Sequence, residues 1–282
     1  MRDGTGRAEA AAEASRPLLA VVGAGHLARA LVEGWLRAGV APAAIAVTNR
    51  ERDDRLEEAR GLGVRAVRDK AAALTGADVV ALAVKPQDAV QTLSECARHW
   101  PPGAVLLSLV AGADSARLAR ALGRDAAIVR AMPNTASAVG ESATAAFTRD
   151  ASATTRALVE RLLRVLGRVV WLSREEDMDA VTALSGSGPA YVYLLVEAMV
   201  EAAEAEGLDG ATARSLAVQT VFGAAHHLRT SGEDAAELRR RVTSPGGTTA
   251  AALSVLERRG FRPAMAEALA SAARRSRQLG RD

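Results

Sequence analysis

The sequence predicts an α/β chain, a Rossmann-type doubly wound sheet in the N-terminal part followed by an all-helical C-terminal domain. Three observations predict it. Short, uninterrupted apolar runs alternate with helical patterns through the first part of the chain. A glycine-rich turn joins the first apolar run to the first helical pattern. Beyond about Trp171 the apolar runs stop and only helical periodicity remains. Continuous apolar strands suit a parallel sheet covered by helices on both faces, and alternating strands and helices suit a doubly wound sheet.

Leu18 to Val22 reads as the first strand. After the glycines, Leu27, Leu31, Trp35 and Leu36 fall on one helical face. "AIAVTNR" is a second strand and "ERDDRLEEARGLG" a second helix that ends at glycine. Asp78 to Val84 is a third strand, "AVLLSLVAG" a fourth, and Ala126 to Arg130 a fifth. Met178 to Glu206 reads as a long helix interrupted by "SGSGP". Further helices are predicted over Thr212 to Thr230, from Thr248, and from Pro263, where proline suits a first turn. The domains are therefore placed at 17–173 and 174–282, after a loose tail over 1–16. The run Val192 to Val200 is apolar almost all round, and such a helix needs burial on several sides. A homo-oligomer packing these helices between subunits supplies that burial.

Composition narrows the function. The 282 residues are 49% hydrophobic, enough for a packed core, but only 3% aromatic, so alanine, valine and leucine must fill it. Basic and acidic residues number 36 and 33, a net charge of +3, with no basic stripe interleaved with aromatics. That argues against a nucleic-acid partner. The single cysteine, Cys96, fits a reducing compartment and reads as an apolar filler. No apolar run approaches the ~20 residues of a membrane span, and the N-terminus has no signal-peptide core. A cytoplasmic protein without a membrane partner is expected.

"GAGHLA", Gly23 to Ala28, matches G-x-G-x-x-G/A between a strand and a helix. Gly23 permits the tight turn, Gly25 lets backbone approach a pyrophosphate, and the helix start at His26 and Leu27 supplies N–H donors. At the end of the second strand, where an acidic residue would bind an unmodified ribose, the sequence reads Thr48-Asn49-Arg50. Arg50 can pair with a 2′-phosphate, and Thr48 and Asn49 can hydrogen-bond it. NADP(H) is thus the expected cofactor, with NAD(H) tolerated. Val84, Lys85 and Pro86 end the third strand, Ala111 and Gly112 follow the fourth, and Asn134 follows the fifth. All fall on the carboxyl rim where ligands bind in open α/β sheets.

The helical part offers one further constellation, "TSPGGTT", Thr243 to Thr249. Pro245 and the glycines set up a turn that aims N–H groups outward at a helix start, a cradle for a small carboxylate. Capping of the helix by Ser244 or Thr248 is the bland alternative. No metal-ligand spacing and no Ser/His/Asp set emerges. Hydride transfer to an already protonated imine needs little acid–base help and fits this scarcity.

With these motifs the chain resembles the pyrroline-5-carboxylate reductase family over about residues 18 to 280. The resemblance rests on "GAGHLA", "VKPQ", "RAMPNT", "SGSGPAY", "GFR" and above all "SPGGTT". It implies NAD(P)H-dependent reduction of 1-pyrroline-5-carboxylate to L-proline and a helical domain interleaved with a partner's in a homodimer. Such dimers often assemble to decamers. It implies a substrate carboxylate on the N–H groups of Gly247 and Thr248, with Gly246 shaping the turn and Ser244 assisting. It also implies that the Thr249 hydroxyl lies near the ring nitrogen, as the catalytic group. The sequence departs from the family in having His26-Leu27 where Asn-Met is usual, and Lys70 where Asn is common. Two alternatives stay open: reduction of another small cyclic imine carboxylate, such as a six-membered one, and a non-catalytic dinucleotide-binding regulator.

Overall fold

The computed structural model describes residues 17–50 and 52–280, and the expected tail over 1–16 lies outside them. The first strands are β1 (Leu19–Val22), β2 (Ile45–Thr48), β3 (Arg65–Val67) and β4 (Val79–Leu82). β5 (Val105–Ser108), β6 (Ile128–Met132), β7 (Ser142–Thr148) and β8 (Gly167–Trp171) complete a single sheet in the order β3-β2-β1-β4-β5-β6-β7-β8. β1 to β6 are parallel, β7 runs antiparallel to β6, and β8 is parallel to β7. The chain reverses its direction of winding between β1 and β4, the switch point at which doubly wound folds bind ligands.

Every residue of β1, β2, β4 and β5 is buried, because helices cover both faces. Alternation along β1 shows how the faces divide. Leu19 and Val21 join one core with Leu31, Trp35, Leu56 and Val159; Ala20 and Val22 join the other with Leu74, Leu93, Leu106 and Leu118. The covering helices are α1 (His26–Arg37), α2 (Asp53–Gly61), α3 (Lys70–Leu74), α4 (Ala89–Ala97), α5 (Ser115–Leu122) and α6 (Ala153–Arg164). The five predicted strands are present, with ends shifted by a few residues. β3, β7 and β8 are additional to them. β7 reads Ser-Ala-Thr-Ala-Ala-Phe-Thr, which lacks the bulky apolar run that marks the others.

Beyond Trp171 the described residues form helices and turns. α7 (Met178–Val181) leads into a π-helical turn over Thr182–Gly186, followed by α8 (Gly188–Ala205) with Pro189 in its first turn. This is the interruption expected at "SGSGP". α9 (Gly210–Ser231), α10 (Ala235–Arg241), α11 (Thr248–Arg258) and α12 (Phe261–Leu279) follow; α10 was not anticipated, and α12 begins two residues before Pro263. Compactness divides the described residues into 17–186 with 273–280, and Ser187–Ala272. The last turns of α12 belong to the first unit because polar contacts hold them there. Ser276 Oγ donates to Asp179 Oδ1 at 2.6 Å, and Arg117 Nη1 donates to the Gly280 carbonyl at 3.1 Å.

The first unit also holds a nearly buried ion pair. Glu175 Oε1 accepts from Arg130 Nη1 at 2.8 Å, from Ser115 N at 2.6 Å and from Ser115 Oγ at 2.8 Å. Arg130 Nε is buried with no hydrogen-bond partner among the described residues, so the guanidinium depends on this carboxylate. Removing one member of a buried pair strands the other charge. Glu175→Ala is therefore expected to lower unfolding free energy by about 3 kcal/mol, read as a drop in the urea midpoint.

Candidate active site: a cofactor groove and a carboxylate cradle

The turn after β1 is fixed by its neighbours. Gly23 N donates to the Thr48 carbonyl at 2.9 Å, and Ala83 N donates to the Val22 carbonyl at 2.8 Å. Gly23 has φ +109°, and a Cβ there would lie 2.8 Å from the Ala83 carbonyl carbon and closer still to its oxygen. Only glycine fits. Gly25 is different: its backbone is extended, and a Cβ would meet no protein atom within 4 Å. The space in front of it is open to a ligand, as close approach of a pyrophosphate requires.

α1 starts immediately after Gly25, and no side chain caps it. Its first intrahelical bond runs from Arg29 N to the Gly25 carbonyl at 3.0 Å. The N–H groups of His26, Leu27 and Ala28 precede that bond and point towards the helix start, with the positive end of the helix dipole behind them. An uncapped helix start beside an open glycine fits a bound pyrophosphate.

Gly23, Gly25, Thr48, Asn49, Arg50, Val84 and Lys85 line one groove of about 1290 Å³, counted out to its open mouth. His26 is exposed at its edge, and Leu27 packs partly against the core. Pro86 opens a short 3-10 turn, Pro86–Asp88, directly after Lys85. Thr48 is buried, and its hydroxyl donates to the Arg68 carbonyl at 3.2 Å, so its first task is to brace the end of β3. Three of the expected cofactor residues stand outside this groove. Gly112 (φ +79°) lies against the end of α12, where its Cβ would be 3.3 Å from Gly280 N, and Ala111 precedes it in the same turn. Asn134 Oδ1 accepts from Ala136 N at 3.0 Å, while Nδ2 donates to the Ser185 carbonyl at 3.1 Å. Both ends of that amide hold the loop after β6 in place.

Sequence reasoning missed the charged wall of the groove. Glu95, on α4, accepts from Lys70 Nζ at 2.7 Å, Gln91 Nε2 at 3.1 Å and Arg50 Nη1 at 3.4 Å. The Lys70 hydrogen bond, against some desolvation, holds the Glu95 carboxyl below the usual range. The neighbouring Cys96 is buried, and burial pushes its thiol up to about 11. It stays protonated at neutral pH and serves as core, as its sequence context suggested. The contact between Glu95 and Arg50 spans 45 residues, which no local pattern encodes.

In the second unit, Gly247 N donates to the Ser244 carbonyl at 3.0 Å, closing a turn with Pro245 and Gly246 at its centre. Gly246 has φ +70°, the conformation that a type II turn needs at that position. Gly247 is the N-cap of α11, with no side-chain cap bond. The first intrahelical bond of α11 is Ala251 N to the Gly247 carbonyl at 3.1 Å. Gly247's own N–H thus closes the turn, and Thr248, Thr249 and Ala250 present the N–H groups that precede the helical ladder. Thr243 Oγ1 donates back to the Arg239 carbonyl at 2.6 Å, away from the helix start.

A family model of pyrroline-5-carboxylate reductase dimerisation matches residues 175–279, and one described as NADP oxidoreductase, coenzyme F420-dependent, matches residues 18–112. Pyrroline-5-carboxylate reductase 2 of Bacillus subtilis is 39% identical over 92% of this chain and 93% of its own length. The chain belongs to the pyrroline-5-carboxylate reductase family. The enzyme of that name from Pseudomonas aeruginosa is 39% identical over 94% of this chain and 97% of its own. The structure of a pyrroline-5-carboxylate reductase from Coxiella burnetii superposes with TM-score 0.89 at 38% identity, covering 94% of this chain and 99% of that one. That of Plasmodium falciparum pyrroline carboxylate reductase, with NADP bound, gives 0.83 at 26% identity over 94% and 98%.

The chain is thus an oxidoreductase with a nucleotide-binding fold, and its helical part matches a dimerisation domain. Consistent with that match, α8 has no buried residue in the single chain, and Tyr193 and Leu194 are 59% and 65% exposed. No helix of the described residues is long and apolar enough to cross a membrane.

The glycine turn yields a direct test. Gly23→Ala places a side chain at positive φ and against β4 backbone. It is expected to lower stability by about 2–4 kcal/mol in chemical denaturation and to abolish dinucleotide binding measured by calorimetry.

Proposed function

We propose that this chain reduces 1-pyrroline-5-carboxylate to L-proline, the final step of proline synthesis, with NADP(H) preferred and NAD(H) tolerated. The observation that carries the reading is the start of α11: a turn closed on itself, an uncapped helix of eleven residues, and N–H groups aimed outward in a chain of this family. A helix start capped by its own serine or threonine would have one of those donors already taken. Neutral donors and a positive dipole end suit a small carboxylate.

Ser244, Gly246, Gly247, Thr248 and Thr249 form the substrate cradle. The resemblance implied the N–H groups of Gly247 and Thr248 for the carboxylate; because the Gly247 N–H closes the turn on Ser244, those of Thr248 and Thr249 take that role here, with Ser244 assisting and Gly246 and Gly247 setting the turn. Thr249 directs its hydroxyl at the ring nitrogen, orients the imine, and relays to that nitrogen a proton that the hydroxyl recovers from water. In the first unit, Gly23 and Gly25 let the pyrophosphate approach, and His26 and Leu27 open the helix that receives it. Thr48, Asn49 and Arg50 flank the adenosine end, and Val84, Lys85 and Pro86 form the opposite rim. Ala111, Gly112 and Asn134 act through backbone placement of the neighbouring loops. The bound dinucleotide supplies the hydride, and holding the ring in one orientation removes much of the entropic cost of its transfer.

Residues 174–282 serve substrate binding and dimerisation, with residues 17–173 binding the dinucleotide. The homodimer interleaves its helices and assembles further to a decamer. The lone buried cysteine suits the reducing cytoplasm.

Thr249→Ala is expected to lower kcat/KM for the imine by about 100-fold or more while the NADPH Kd stays within error. Steady-state kinetics paired with calorimetric titration checks it. An unchanged kcat/KM removes Thr249 from the mechanism.

A further inference from the structure

Within the first unit, the last turns of α12 border a pocket of about 890 Å³, counted out to its open mouth, together with the start of α5, β6 and the 3-10 turn Glu175–Asp177. It shares no wall residue with the cofactor groove. Its wall carries both signs of charge, with Arg130, Arg149 and Arg277 beside Asp114, Glu175, Glu176 and Asp179. Three of the carboxylates are already engaged. Asp114 Oδ1 caps α5 by accepting from Arg117 N at 2.6 Å. Glu175 holds Arg130 and Ser115, and Asp179 holds the Ser276 hydroxyl. Glu176 is exposed and, among the described residues, forms no hydrogen bond or ion pair; it acts on Arg174 through charge alone.

The guanidiniums are less engaged. Arg277 forms no hydrogen bond or ion pair among the described residues. Arg149 Nη2 stands 3.9 Å from Glu175 Oε2, too far for a hydrogen bond. The Arg130 side chain is only 9% exposed and uses Nη1 for Glu175, while its buried Nε has no acceptor among the described residues, and neither has Nη2. Nε and Nη2 form one edge of the planar guanidinium, a fork that matches the two oxygens of a carboxylate. A buried N–H without an acceptor costs free energy that an incoming oxygen recovers.

We propose that this pocket is a second small-molecule site, separate from the cradle, that binds a free α-amino acid as its zwitterion. The carboxylate takes the open edge of Arg130, with Arg149 and Arg277 around it, and the ammonium takes Glu176. Charge decides against a simple ion. Four carboxylates against three guanidiniums leave the wall with one negative charge in excess, so a bare anion is repelled overall, and a bare cation meets three arginines. A zwitterion uses both signs and adds no net charge. Bound there, it links Arg277 of α12 to Arg130 of β6 and holds the end of α12 in the first unit.

The test uses the full chain and follows binding of L-alanine by calorimetry, beside propionate and ethylammonium, which lack its ammonium and its carboxylate in turn. The expected result is saturable binding of L-alanine, with each single-charge half weaker by about tenfold or more. Arg277→Ala and Glu176→Gln change exposed side chains, and matched thermal unfolding without ligand verifies the fold. Each is expected to weaken L-alanine by about tenfold or more. Thr249→Ala, in the other unit, is expected to leave L-alanine affinity unchanged. No saturable binding of L-alanine, or propionate binding as tightly, overturns the proposal. So does an affinity unchanged in either pocket variant, or one lost in Thr249→Ala, which would place the amino acid at the cradle.

Discussion

The cofactor half of this enzyme depends on a backbone-to-backbone contact at Gly23. The turn after β1 passes so close to the Ala83 carbonyl that no side chain fits between them. That approach brings the ends of β1 and β4 together at the point where the winding of the sheet reverses. It also sets the start of α1 beside Gly25, where space is left open rather than filled. The two glycines therefore do different work. The first satisfies the protein's own packing, and the second leaves room for something the protein lacks. A helix dipole of roughly half a unit charge then faces that room with no side-chain cap to satisfy it.

The second unit repeats the same physical device with different chemistry. Pro245 and Gly246 close a turn on Ser244, and α11 begins without a cap. Ser244, Thr248 and Thr249 stand at a helix start where hydroxyls usually turn inward to cap, and here none does. A pyrophosphate and a small carboxylate differ in size and charge, yet both are anions, and an uncapped helix start favours either. In the groove of the first unit, Arg50 and Lys70 both contact Glu95.

Much of this was legible in the sequence because it is local. Gly23-Ala24-Gly25 lies between an apolar run and a helical pattern, and Pro245-Gly246-Gly247 precedes another, so each motif carries its own context. β1, β2, β4 and β5 were legible because double-sided burial makes each a continuous apolar run. β7 was not, since alanine, serine and threonine satisfy a buried strand in the structure without marking one in the sequence. Gly112 looked like room for a ligand, but its neighbour is Gly280, 168 positions later in the chain. Asn134 looked like a rim residue, but its amide is held by Ala136 and Ser185. Glu95 was invisible for the same reason: its partners at residues 50 and 70 are joined to it only by the fold. Whether a cap hydroxyl turns inward, too, is a matter of rotamer, which spacing does not encode.

The central claim is that this chain reduces a five-membered cyclic imine carboxylate. The most direct measurement is the initial rate of reduced-nicotinamide oxidation with DL-1-pyrroline-5-carboxylate, run with NADPH and with NADH, and repeated with the six-membered analogue. The account predicts rapid turnover of the five-membered imine, with NADPH the more efficient donor. Binding of NADPH with no turnover of that imine would contradict it, and would mean that the start of α11 receives some other carboxylate.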